Sequence, residues 1–365
     1  GMSGVTVYVP ELACPGLNLI TSGHAPEAEL VDMEGRILHR WSYDFGDAFP
    51  DYRDVDGRFL LKPFYPYYWR RAFLCPNGDL LAIFDGMGLI RLDKDSKLLW
   101  KVQEGCHHDC FLVGDSLIYT LGRELTSLPE LDPDGQLLED FLIILDADGR
   151  VLKKISLIEA FENSVYAPLL THRQPFPDVL HTNTIQVLTG RHADRSEVFE
   201  RGNVLISARN IDVVAILNPR EEKIVWALCG LWKGQHEPTL LANGNLLVFD
   251  NQGSDGMSRV LEIDPLTQDV VWEYEGTPEN GFYSKACSAA HRLPNGNTLI
   301  IESEAGRAFE VTPSKRIVWE YYNPQRAGEG ETLIATLFDV ARLPADFPLD
   351  SLETSPLASS HAGVH

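Results

Sequence analysis

Residues 233–252 read KGQHEPTLLANGNLLVFDNQ, with His236 at the start of an apolar segment. Two other histidines hold the same place: His107 lies four residues before Phe111 and His181 four before Ile185, as His236 lies four before Leu240. Arginines and amides close the apolar segments that follow: Arg123 in YTLGRE, Arg209 in LISARN and Asn251 in LVFDN. Asn183 stands two beyond His181, His108 directly follows His107, and Arg70 occupies the corresponding place one repeat earlier. Near neutral pH an imidazole is a base, a nucleophile or a metal ligand. A guanidinium fork holds a tetrahedral oxyanion, and a cation nearby keeps an imidazole unprotonated and therefore nucleophilic.

The neighbours of these histidines are Asn, Gln and Arg, with few carboxylates, which suits an anion better than a divalent cation: metal-binding imidazoles are usually oriented by carboxylates. Two other chemistries stay open. His107, His181 and His236 form a candidate three-histidine site for iron or zinc, and the same surface can serve as a non-catalytic platform for an anionic ligand or a partner protein.

The elements that position these residues follow from a repeat. Residues 75–102, 241–274 and 293–321 share one plan: an apolar segment, an Asn-Gly turn, a second apolar segment, a loop, a third, a polar turn, and a fourth ending near Trp. Asn-Gly supplies positive φ for a two-residue hairpin, so the flanking segments read as paired antiparallel strands. Looser copies run through residues 107–157 and 181–228, stretched by insertions at 124–140, 159–178 and 190–200. That makes five four-stranded units between Arg70 and Tyr322. A sixth is split: NLITSGHAPEAELVDMEGRILHRW matches TLIIESEAGRAFEVTPSKRIVWEY without a gap, and its missing first strand is LFDVARLPADF, residues 337–347. Joining both ends removes two unpaired sheet edges. The expected fold is all-β, a six-bladed β-propeller closed by strands from both termini, in one domain over residues 1–350 with a tail at 351–365. Trp41, Trp100, Trp226, Trp272 and Trp319 end the outer strands and are expected to pack between blades.

In such a blade the first strand lines the central channel and the second returns beside it, so the histidines and the arginines and amides share one rim. Adjacent strand residues face opposite ways, so only one of His107 and His108 is expected to point inward. His291 is read as part of an ordinary hairpin, and the aromatic stretch at residues 63–73 as packing that also borders the rim.

The chain has 31 basic and 53 acidic residues, net charge −22, which argues against nucleic acid and anionic membranes as partners. No apolar run is long enough for a membrane-spanning helix, and a cytoplasmic location is expected unless a leader was removed, in which case periplasmic or secreted. The six cysteines show neither a CxxC pair nor zinc-type spacing and read as free thiols, with Cys106 and Cys110 close enough in sequence to leave a bond between them open.

The ordered set HHD (His107, His108, Asp109), HxN (His181, Asn183), an arginine closing the next strand (Arg209) and QH (His236) resembles the bacterial arylsulfate sulfotransferases and their propeller relatives, over about residues 15–347. The resemblance implies that a phenolic sulfate ester gives its sulfuryl group to a histidine, which passes it to a second phenol without a nucleotide or other cofactor. It makes His236 the nucleophile, with His107 or His108, His181, Asn183 and Arg209 binding sulfate oxygens or moving protons. Arg123, Asn251 and Arg70 would complete the substrate contacts.

Overall fold

The computed structural model describes residues 2–52, 65–127, 135–172, 177–253, 257–277, 281–327, 329–349 and 352. Six antiparallel sheets follow one another as blades of a propeller. Blade 1 has the order Leu337–Leu343, Leu17–Ser22, Glu27–Val31, Ile37–Ser42, so the strand nearest the C-terminus is its innermost one. Leu17 pairs with Leu343 and Thr21 with Asp339. The tail at 351–365 lies outside the described residues except for Leu352, which packs against the core of blades 1 and 2.

Blade 2 spans residues 71–102, blade 3 residues 107–156, blade 4 residues 182–228 and blade 5 residues 236–275. Blade 6, residues 289–322, carries a fifth strand: Gly4–Tyr8 adds outside Ile317–Tyr322. Sequence reasoning missed this strand, whose five residues are too short and too exposed to alternate clearly. It covers an otherwise open sheet edge.

The repeated hairpins are tight for a different reason than expected. At 75–78, 241–244 and 293–296 the glycine N–H bonds back to the residue three before it, and only Gly78, Gly244 and Gly296 have positive φ, at 88°, 87° and 88°. This is a type I turn followed by one left-handed residue. Pro76 and the asparagines stay at negative φ, which a mirror-image turn would not allow. Each asparagine Oδ1 accepts the N–H two residues on.

The outer tryptophans do join blades. Trp100 Nε1 donates to Ala147 O of blade 3, Trp272 to Pro313 O of blade 6, and Trp319 to Met33 O of blade 1. Trp41 and Trp319 are fully buried. Of the insertions, both ends of 124–140 are strand, since Leu117–Thr126 and Leu137–Asp146 run ten residues each, and residues 128–134 lie outside the described residues. The next holds the helix Leu157–Glu162, capped by Ser156 Oγ accepting Glu159 N–H.

All six blades meet at Arg71 on the channel axis. Its Nε donates to Asp339 of blade 1 at 3.0 Å, its Nη1 to Asp109 of blade 3 at 2.9 Å, and its Nη1 and Nη2 to Glu237 of blade 5 at 2.9 and 2.7 Å. Asp109 also accepts Ile185 N–H of blade 4, and the other Asp339 oxygen meets His291 Nε2 of blade 6 at 3.1 Å. A buried guanidinium is tolerable only when its charge and donors are matched, and here the partners are drawn from the whole ring.

Candidate functional site

Three residues of that hub follow, in sequence, a residue of the expected rim: Arg71 follows Arg70, Asp109 follows His108, and Glu237 follows His236. Strict alternation cannot deliver both layers side by side. The backbone does it by turning left-handed at non-glycine residues: His108 at φ 55°, His181 at 47° and Glu237 at 51°. Each innermost strand is bulged there, between Thr120 and Leu121 on the partner of blade 3, Thr182 and Ile185 in blade 4, and His236 and Thr239 in blade 5. Such backbone costs about 1–3 kcal/mol per residue and persists where the surroundings over-determine it.

His108 is left-handed, and its Nδ1 lies 2.8 Å from the Nδ1 of His107. His108 faces His181, ring centroids 4.8 Å apart, and His107 is fully buried behind it. The strand positions also differ: His107 and His236 pair with the second strand, whereas in blade 4 the paired residue is Thr182 and His181 stands just before it.

Carboxylates, expected to be few, back the imidazoles. Asp178 Oδ2 lies 2.5 Å from His181 Nδ1, and its other oxygen accepts His181 N–H. Asp140 Oδ1 is 3.4 Å from His107 Nε2, and Asp85 Oδ1 is 3.7 Å from His108 Nδ1. Burial pushes the Asp178 carboxyl up, but His181 and Arg123 outweigh it and hold the group well below its ordinary value. Three residues of spacing, in PDVLH, was the available signal for Asp178.

The hydrogen bonds fix the tautomers. Asn251 Nδ2 donates to Ser284 O and Cys287 O, so its Oδ1 is the acceptor for His236 Nδ1–H at 2.7 Å, shared with Gly234 O at 3.0 Å. His236 Nε2 is therefore a bare lone pair. His181 likewise gives its Nδ1–H to Asp178. Arg123 Nη2 donates to His107 Nδ1 at 3.3 Å; since a guanidinium cannot accept, the 2.8 Å contact is donated by His108 Nδ1–H. His108 and His236 thus keep Nε2 unprotonated, and His181 is held through Nδ1 by Asp178.

Burial first, and then Arg209, Arg70 and His181, depress the His236 pKa well below its usual value. His108 is depressed in the same way by burial, His181 and Arg70. Arg70 and Arg209 therefore both bear on the imidazole edge. Arg70 is buried with its guanidinium 5.0 Å from the Phe338 ring, which packs on Tyr68 at 4.7 Å. Among the described residues no hydrogen bond engages that guanidinium. Arg209, half-buried on the turn Arg209–Ile211, is bonded to Asn210 Oδ1.

Asn183 is buried and turned to neighbours: its Nδ2 donates to Gln235 O, beside His236, and its Oδ1 accepts Thr184 Oγ1–H. Its contacts brace the His236 strand. Trp69, from the aromatic stretch at 63–73, is core, while residues 63 and 64 lie outside the described residues. Cys106 and Cys110 are both free and buried.

For a metal, the three-histidine set does not assemble. Among the described residues, Asp85, His107 and His108 form the one group of three whose ligand atoms fall within 4.8 Å of one another. Its two Nδ1 atoms are bonded to each other, and Arg123 points a donor at one of them, which opposes a second cation there.

A family model described as Arylsulfotransferase (ASST) matches residues 71–324. No curated protein matches the chain. Among solved structures, a Bacteroides caccae protein of unknown function aligns with a TM-score of 0.56 and 12% identity, covering 88% of this chain and 97% of that one. A streptogramin B lyase aligns at 0.49 and 13%, covering 90% and 84%, and the WD40 β-propeller domain of Doa1 at 0.49 and 10%, covering 94% and 91%. At these identities the likenesses concern fold alone.

Proposed function

The chain belongs to the arylsulfotransferase family, and from that premise we propose that it transfers a sulfuryl group from a phenolic sulfate ester to a second phenol, with His236 as the carrier. The observation that carries this reading is the bare Nε2 of His236, buried and held neutral, with its other nitrogen fixed by Asn251. In the first half-reaction that lone pair attacks sulfur; the S–N bond forms as the S–O(aryl) bond breaks, and the electron pair leaves with the phenolate oxygen. In the second, the acceptor phenol attacks sulfur, the S–N bond breaks, and its electrons return to Nε2.

Sulfuryl transfer, like phosphoryl transfer, passes through a loose in-line transition state, so the protein's work is positioning and stabilising oxygens. Arg209 and Arg70 are the donors for the sulfate oxygens. His181, whose Nδ1–H is held by Asp178, is the base that takes the acceptor's proton and returns it to the phenolate that departs in the next cycle. A phenol of pKa about 10 needs such a base near neutrality. Tyr68 and Phe338 offer the aryl ring a flat face next to Arg70.

The test is incubation with 4-nitrophenyl sulfate and phenol, followed by mass mapping of the peptide containing His236. Wild type should release nitrophenol and carry a transient added sulfuryl group on that imidazole. His236→Asn should do neither while folding normally, because an amide cannot form the intermediate. A broad panel of aryl sulfates giving no phenol release and no modified His236 would leave a ligand-binding propeller.

A further inference from the structure

The channel has a second mouth, at the hairpin ends of the inner strands, and a cavity of about 920 Å³ opens there. It is separated from the histidines by the Arg71 hub, which forms its floor. Its walls are apolar: Phe73, Phe111, Leu112, Leu117, Ile118 and Leu343 line it. Nothing in sulfuryl transfer uses this space.

The floor is short of positive charge. Asp109, Glu237 and Asp339 face one guanidinium, Arg71, and the remaining basic group is His291, bonded to Asp339. Arg91, at the wall, is already committed to Asp79, and Asp115 at the exposed lip adds a further negative charge. Even with His291 protonated, three floor carboxylates oppose two cations. Arg71 also lies 5.6 Å from the Phe73 ring, so the aromatic wall already faces a cation.

We propose that this second mouth binds an amphiphilic cation, an apolar body seated against the Phe73, Leu112 and Leu117 walls with an ammonium group over Glu237 and Asp339. An organic anion would meet the carboxylate excess, and a neutral ligand of the same shape would leave it unbalanced. The titration of the floor agrees. Burial pushes the Asp109 carboxyl up to about 7 against the pull of Arg71. Burial lowers the His291 pKa, but Asp339 and Glu237 outweigh it and raise it overall. Both groups recruit a proton into the same deficit. A bound ammonium takes that proton's place, so binding releases protons and weakens as pH falls.

The experiment is calorimetric titration of the full chain with 4-phenylbutylammonium, 4-phenylbutanol and 4-phenylbutyrate. At pH 8 the ammonium should bind at least about tenfold tighter than the alcohol, the carboxylate should not bind, and the ammonium affinity should fall towards pH 5.5 with proton release seen as a buffer-dependent enthalpy. Leu112→Trp should abolish binding by filling the cavity, and Glu237→Gln should weaken it by about tenfold. His236→Asn should leave it unchanged, which separates this site from the histidine rim. Equal binding of alcohol and ammonium, preference for the carboxylate, absence of saturable ammonium binding, or binding that survives Leu112→Trp would overturn the proposal.

Discussion

The histidine rim and the Arg71 hub lie one residue apart along the same strands, yet they are finished differently. In the hub all three nitrogens of the Arg71 fork are bonded to carboxylates, and each of those carboxylates is bonded again or chelated. On the rim His236 is pinned by Nδ1 and leaves Nε2 bare, His181 is pinned by Nδ1, and among the described residues no hydrogen bond engages the Arg70 guanidinium. The hub's groups hold the ring together and offer a ligand only their net charge, whereas rim residues fixed at one end and open at the other offer it unbonded atoms.

That contrast breaks most visibly at neighbouring arginines. Arg71→Met should cost about 3–5 kcal/mol of stability, the penalty for stranding buried charges, read as a lowered denaturant midpoint. Arg209→Ala should leave the midpoint nearly unchanged and lower kcat for aryl sulfate by about 10²–10³-fold, the loss expected for one oxyanion donor. A large stability loss from the second variant would erase the distinction between the layers.

The two layers should also respond to pH in opposite senses. His236 and His108 have folded pKa values below the unfolded one. Above about pH 6.5 both states are neutral; below it the unfolded chain binds protons that the native rim refuses, so the rim's contribution is lost as pH falls. Asp109 is the reverse. Its folded pKa of about 7 against an ordinary 3.8 means that the native state holds an extra proton between those values, and stability declines as pH rises through that window. Melting of His108→Asn should show a shallower acid-side fall, and Asp109→Asn a shallower decline from pH 4 to 7. For the same reason kcat/KM should hold its plateau below pH 6.5, since His236 stays neutral there. The smallest effect belongs far from either layer: Trp272→Phe removes the bond to Pro313 O at a solvent-exposed blade junction and should cost about 0.5–1.5 kcal/mol.

The blades were legible because their apolar period and turn residues repeat, and the split blade because its missing strand left a countable gap. The turn type was misread since Asn-Gly alone does not specify it; Pro76 does. The rim histidines were found by spacing. What spacing could not give is the left-handed backbone at His108, His181 and Glu237, which has no glycine to announce it. That bulge is why Asp109 and Glu237, one residue on from His108 and His236, meet Arg71. Asp140 reaches His107 from the third strand of the same blade and Asp85 reaches His108 from blade 2, so neither is near its histidine in sequence.

The order in which the ring closes has a bearing on biosynthesis. The three strands of blade 1 encoded first leave the ribosome with no inner partner until Leu337–Leu343 emerges, and Asp339, the last ligand of Arg71, arrives with it. At about 5–20 residues per second that interval is roughly 15–60 s. Throughout it the nascent chain carries an uncovered sheet edge and an Arg71 hub lacking one carboxylate. Neither mouth of the channel is complete until Leu337–Leu343 has been made, so chains truncated before it should emerge inactive and prone to aggregate.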